Sequence, residues 1–265
     1  MKNSTISLKT QNNKKSKAVQ HAAAVLFWIA VWYVASIKIN KSVILVSPTE
    51  VVEALLSLVR KTAFWYTIAN SFASIAGGFL IAVISGIILA CAASALPFLR
   101  ILLSPLTSVM KSTPVASFVI LVLLWISSSR LAILISFLMV FPVIYTNLLN
   151  GIMNVDKRLE EMAEVFHISR IKRILYIYLP DVMPFFVSAC TVSLGLCWKS
   201  GVAAEVIGQP ENSIGEKLYK SKLYLETADL FAWTVVIILI SYLFEKLFLF
   251  ALNKLWKAIE RSCSK

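Results

Sequence analysis

Residues 155–180 gather charge and helix-capping groups more densely than any other stretch of the sequence. Asp156 suits an N-cap, and Glu160 and Glu161 fall in the first turns that follow, where the positive end of a helix favours carboxylates. Leu159, Met162, Ala163 and Phe166 recur at helical spacing and share a face. Ser169 can cap a second helix whose first turns carry Arg170, Lys172 and Arg173. The pattern predicts a helix, a turn near His167 and a second helix. Such a segment recognises rather than reacts. It serves either as an amphipathic loop packed on its own bundle or as a docking element for a soluble partner.

A second set of polar or amphipathic groups lies in otherwise apolar surroundings: Asn70, Asn147, Trp198, Lys199 and Glu205. Ionisable groups at membrane depth are expensive to hold there and are functional candidates for that reason. Lys199 can attract an anion, or it can snorkel to the interface or pair with a carboxylate.

The chemistry that would make this chain an enzyme is missing. The eight glycines never form the phosphate cradle G-x-x-x-x-G-K-[ST], and neither H-E-x-x-H nor G-x-S-x-G occurs. The two histidines, His21 and His167, stand far apart, and the four cysteines form no C-x-x-C pair. No metal and no cofactor is expected on this chain. Uphill work would draw on a partner or on an ion gradient.

The elements that position these residues follow from composition. The 265 residues are 58% hydrophobic and 15% charged, well below the quarter of charged residues usual in soluble domains. Asp, Glu, Lys and Arg are absent from 22–37, 62–99, 112–129, 131–155, 182–198 and 230–244. A helix needs about 20 apolar residues to cross the hydrocarbon core. The sequence therefore predicts an all-α polytopic membrane protein with about six spans, near 22–39, 67–94, 114–128, 131–150, 182–206 and 229–251. They form one transmembrane domain, 22–254, between basic tails at 1–21 and 255–265. The first span reads as uncleaved.

The net charge of +12 does not point to nucleic acid. Five lysines with no acid precede the first apolar run, and four bases against Glu260 close the chain, which is the positive-inside pattern with both termini cytoplasmic. Ser47-Pro48-Thr49-Glu50 is a capping box with Val46 and Val51 placed for a hydrophobic staple, and it should open a short helix at the outer surface. Gly78, Ala82, Gly86 and Ala90 repeat every four residues, a small face for close helix packing. Residues 95–113, with Pro97 and Pro105, read as a broken cytoplasmic connection, and 207–228 as an outer loop.

The 155–180 segment resembles the EAA loop of ABC importer permeases: E-A-A, three residues, G, nine residues, then I-x-L-P. Here Glu161-Met162-Ala163, His167, Ile177, Leu179 and Pro180 stand in that register, with Met162 in place of the first Ala and His167 in place of the Gly. Ser47-Pro48 with Val51, and Leu194-Gly195-Leu196-Cys197-Trp198-Lys199 with Val202-Ala203-Ala204-Glu205, are similar to segments of the nitrate/sulfonate/taurine permease subfamily. The resemblance covers about 25–255. It implies the type I importer permease fold and a homodimer of permeases in the plasma membrane. It also implies two cytoplasmic ATPases, which bind the ATP and Mg, and an extracytoplasmic substrate-binding protein. By the same resemblance, Glu161, Ala163 and His167 would face the ATPase with Phe166 packed beneath them, and the substrate would be a small anion such as a sulfonate, taurine or nitrate. A secondary transporter or channel working without an ATPase is the alternative; it would need intramembrane carboxylates, and Glu205 is the one candidate.

Overall fold

The computed structural model describes residues 4–39, 41 and 43–263, with side chains described at 20, 23–39, 41 and 43–259. Helices follow one another throughout, and no strand occurs among the described residues. They are α1 (Ser4–Ile39), α2 (Pro48–Val59), α3 (Thr62–Ala95), α4 (Pro97–Ser112), α5 (Val115–Val122), α6 (Ser128–Met153), α7 (Lys157–Val165), α8 (Arg170–Arg173), a π-helical turn (Ile174–Tyr178), α9 (Leu179–Gly208), α10 (Ile214–Leu223) and α11 (Thr227–Cys263).

Three helices, α3, α6 and α9, make the central packing unit, and small residues set their spacing. A Cβ at Gly78 would stand 2.3 Å from the Ile133 carbonyl oxygen, and one at Gly86 would stand 2.8 Å from the Ile144 Cγ2. Ala82 and Ala90, the other two members of the four-residue repeat, are fully buried. The pairings 78 with 133 and 86 with 144 run α3 and α6 in the same direction. Gly208 meets Leu131, and Gly151 meets Phe185, so α9 runs the opposite way. Phe72, Phe79, Trp198, Phe244 and Phe248 interlock α3, α9 and α11 through edge-on and tilted ring contacts.

The N-cap half of the expected box forms: the Ser47 hydroxyl accepts from the Glu50 N–H at 3.3 Å, and Val46 and Val51 are buried in one cluster. Indole Nε1 of Trp32 donates to the Val46 carbonyl at 3.0 Å, fixing the first helix to this corner.

Span lengths depart from the sequence reading. Among the described residues, four helices are long and apolar enough to cross a membrane: 62–95, 128–153, 170–208 and 227–259. The helix pair α4 and α5, bent by 106°, makes a fifth if it is taken as one broken span, and the apolar part of α1, Ala23–Ile39, falls just short. The expected third span at 114–128 is helical only over Val115–Val122, about 12 Å of rise, far too little to cross alone. Thr113 and Pro114 are extended because a residue before proline avoids the helical region, so α4 must stop there. The expected connection at 95–113 is instead a 16-residue helix, opened by Pro97 in its first turn and continuing through Pro105. At both ends of the chain, helix continues into the stretches read as basic tails, from Ser4 and to Cys263; Met1–Asn3, Ser264 and Lys265 lie outside the described residues.

Candidate coupling segment and substrate path

Asp156 caps α7, its Oδ1 accepting from the Arg158 N–H at 2.9 Å. The helix ends in a Schellman motif. The Ile168 N–H donates to the Ala163 carbonyl at 2.9 Å, the His167 N–H donates to the Glu164 carbonyl at 3.0 Å, and His167 lies in the left-handed region at φ 49°. His167 thus adopts the very conformation for which glycine is the default residue. Met162 and Glu161 are exposed, as is His167.

The expected order of burial around the turn is reversed. Ala163 is 0% exposed and Phe166 is 72% exposed. A methyl group lets α7 lie close on the core, where Ala163 joins Val155, Ile177 and Val182. Phe166 follows the last full turn and is carried outward. Val165, Phe166, Ile171 and Ile174 leave a large apolar knuckle uncovered around His167. Large exposed apolar patches of this kind mark interaction sites.

The second arm is not a separate helix. It runs without a break from Arg170 to Gly208, through the π-turn. Pro180 cannot donate to the carbonyl four residues back, and its ring crowds that carbonyl. The wider turn just before it relieves that conflict, with the Leu179 N–H reaching back to the Ile174 carbonyl. Across the hairpin, the Tyr178 hydroxyl donates to the Glu160 carboxylate. Ile177 is buried, Leu179 half-buried and Pro180 exposed.

The second set of residues does not gather at one site. Asn70 and Glu205 come together at the end opposite the 155–180 segment. The Asn70 amide donates to the carbonyls of Glu211 (3.4 Å) and Asn212 (3.2 Å). Glu205 is 1% exposed. Its Oε2 accepts from the Ser71 hydroxyl at 2.8 Å and from the Gly215 N–H at 3.1 Å, while the Ser71 oxygen accepts from the Ile214 N–H at 2.8 Å. Two orphan N–H groups at the start of α10 are thus satisfied by α3 and α9. Gly215 has no room for a side chain, since a Cβ there would lie 2.3 Å from the Glu205 Cβ.

Ser213 caps α10 through the Glu216 N–H (3.0 Å), and Glu216 accepts from the Asn212 N–H (2.8 Å) and Lys220 (2.5 Å). Burial opposes ionisation of Glu216, but the Lys220 and Asn212 hydrogen bonds and the nearby lysine charges outweigh it and hold this carboxyl below the usual range.

Asn147 donates to the Val143 carbonyl of its own helix at 2.8 Å. Trp198 is buried, with no partner on its indole nitrogen among the described residues. Lys199 stands apart from all four. It lies on an exposed face of α9 with Ser188, Thr191 and Gly195, and a Cβ at Gly195 would meet nothing within 4 Å. Ser71, Gly215 and the Tyr178–Glu160 contact escaped the sequence reading. A serine in an apolar run, a loop glycine and the variable position of I-x-L-P carry no signal until the chain is folded. Among the described residues, no three His, Cys, Asp or Glu side chains cluster as metal ligands do.

The fold is an all-helical bundle with four to five helices or helix pairs long and apolar enough to cross a membrane. Residues 82–257 match the family described as binding-protein-dependent transport system inner membrane component, and the chain belongs to that family. It is 26% identical over 220 residues to the taurine transport system permease protein TauC of Escherichia coli, covering 81% of this chain and 80% of that protein. It is 28% identical to the bicarbonate transport system permease protein CmpB of Synechococcus elongatus (56% of this chain, 53% of that one). The nitrate import permease protein NrtB of Leptolyngbya laminosa is also 28% identical (54% and 52%). The chain is a permease subunit of an ABC importer, a non-catalytic membrane component.

Proposed function

We propose that two copies of this chain form the path of a small anionic solute, such as a sulfonate, taurine or nitrate, across the plasma membrane. An extracytoplasmic binding protein delivers the solute, and cytoplasmic ATPases drive the cycle through the 155–180 hairpin, with both termini on the ATPase side. The relatives named for taurine, bicarbonate and nitrate all handle small charged solutes. The observation that carries the coupling role is the uncovered apolar knuckle around the left-handed turn at His167. Met162, Val165 and Phe166 offer the area that a groove on the partner would bury, and Glu161 and His167 flank it. Alternating access requires two bundle arrangements separated by a few kcal/mol. The hairpin can transmit force because Ala163 and Ile177 root it in the core, the Tyr178–Glu160 contact braces its arms, and the second arm continues directly into α9.

Co-purification from native membranes tests this reading. The wild-type chain should carry an ATPase through mild detergent, and a Glu161→Lys, His167→Asp double variant should insert normally but lose it. Recovery of the ATPase with the double variant would overturn the docking role, and its absence from the wild type would favour transport without an ATPase.

A further inference from the structure

Four ionisable side chains stand well inside α9 and α11: Lys199, Glu205, Glu245 and Lys246. Glu245 is thus a second carboxylate within the spans, beside the Glu205 expected from the sequence. Two of the four are engaged. Glu205 accepts from Ser71 and Gly215, and Lys246 Nζ lies 5.2 Å from the centroid of the Tyr242 ring, a cation–π contact. Lys199 and Glu245 have no such partner, since ion pairs among the described residues are confined to Glu216 with Lys217 and Lys220. Lys199 is exposed and Glu245 half-buried. Charge-free runs at 182–198 and 230–244 lead up to them, so neither lies near a helix start. Lys199 is about 14 Å of helix rise from the Gly208 end of α9, nearly half the thickness of a hydrocarbon core.

The fold turns these two charges to one flank. Phe64 meets Trp233 and Phe79 meets Phe248, so α11 runs with α3 and antiparallel to α9. Trp198 and Phe244 face each other across α9 and α11, with ring centroids 6.2 Å apart. One residue further on, each helix has turned by about 100°. Because the two helices run in opposite directions, those turns have opposite sense in space, and Lys199 and Glu245 emerge on the same side of the pair. The other side of α9 is taken by α3. There the Cys197 Sγ donates to the Ile75 carbonyl at 3.4 Å, and a Cβ at Gly201 would stand 2.7 Å from the Ile75 side chain. Packed helix axes lie about 8–10 Å apart, a gap that the long stems of Lys and Glu span together. A lone charge at this depth is costly. Within the apolar runs of α9 and α11, each of the two is the only unengaged charge that can answer the other.

We propose that Glu245 is the resting counter-ion of Lys199 and a specificity-determining residue of the path. It holds the ammonium across the α9–α11 seam when the path is empty and gives it up to the anionic group of the solute. A neutral solute cannot displace a carboxylate from the lysine, so the pair screens solutes by charge. The competition rests on the anionic path proposed above; the juxtaposition of the two charges does not.

Two measurements on the full-length chain separate these. In membranes carrying Lys199→Cys/Glu245→Cys, a short bismaleimide should link positions 199 and 245 within one chain, read as the joined peptide by mass spectrometry. Lys199→Cys/Lys246→Cys, with the second thiol on the far side of α11, should not link. In detergent at constant ionic strength, nitrate or taurine should raise the unfolding temperature of the wild type. Glu245→Gln should reach half of its full shift at about two- to fivefold lower concentration, the range set by a partly exposed ion pair, and Lys199→Gln should show no shift. A pair that only stabilises the fold would lower the unfolding temperature when broken and leave the half-shift concentration where it was. If a single variant fails to insert, Lys199→Gln/Glu245→Gln, which leaves neither charge alone, should insert and show no anion response; a retained response there overturns the competition. Absence of the 199–245 link overturns the proposal outright, and an unchanged half-shift concentration in Glu245→Gln overturns the competition. With the link present and no anion response in the wild type, the anionic path itself falls and the pair is structural.

Discussion

At the scale of single residues, the outer connection rests on carboxylates that double as helix caps. Glu216 accepts hydrogen bonds from Asn212 and Lys220, and its carboxyl is held below the usual range. A depressed pKa in the folded state means that the contribution is present above the ordinary carboxylate value. It is lost as pH falls through the lowered one. Protection of the Asn212 amide from hydrogen exchange should therefore persist through neutral and mildly acidic pH and drop only below about pH 4.3, the unfolded-state value for Glu. Glu216→Gln should flatten that pH dependence. A profile unchanged by the substitution would detach the titration from Glu216.

At the scale of helices, the small-residue repeat was legible in the sequence and set Gly78 apart from its neighbour Gly77, but the helix it packs against was not. In the fold, a Cβ on Gly78 would strike the α6 backbone at 2.3 Å, whereas one on Gly77 would meet nothing within 4 Å. Gly78→Ala should therefore lower stability by about 1–3 kcal/mol, the usual penalty for overpacking against atoms that cannot move. Gly77→Ala should be neutral or slightly stabilising, since Ala is the better helix former. Thermal unfolding of the two variants in the same detergent decides it, and equal shifts would mean that α3 and α6 do not pack as described.

At the scale of the whole molecule, a long face of α9 is left uncovered by the rest of the chain. The Lys199 face of α9 is open and mixed, with Ser188, Thr191 and Gly195 beside the exposed Val192 and Leu196, and Lys199 is the one ionisable group on it. If it borders the path of an anion, Lys199→Gln should reduce uptake of the transported anion about tenfold, the effect of losing roughly 1.4 kcal/mol of attraction. Assembly with the ATPase should survive. Normal uptake in a correctly assembled complex would leave Lys199 a snorkelling base.

The sequence by itself determined the membrane class, because charge-free runs have few other uses. It determined the N-cap at Ser47, because a cap is a local hydrogen bond between near neighbours. It also located the 155–180 hairpin, whose Asp156 cap and helical spacing are local, although the Ser169 side chain makes no cap hydrogen bond. Tertiary structure alone decided which side of that hairpin is buried, because close approach to the core selects Ala163 over Phe166, and periodicity does not say which flank of a helix face meets the bundle. The break between α4 and α5 likewise required three dimensions: prolines announce an interruption, but not that the two pieces are bent by 106°. The Ser71–Glu205–Gly215 junction spans some 140 positions of chain. No short-range pattern encodes it, since only the antiparallel packing of α9 on α3 brings these groups within hydrogen-bonding distance.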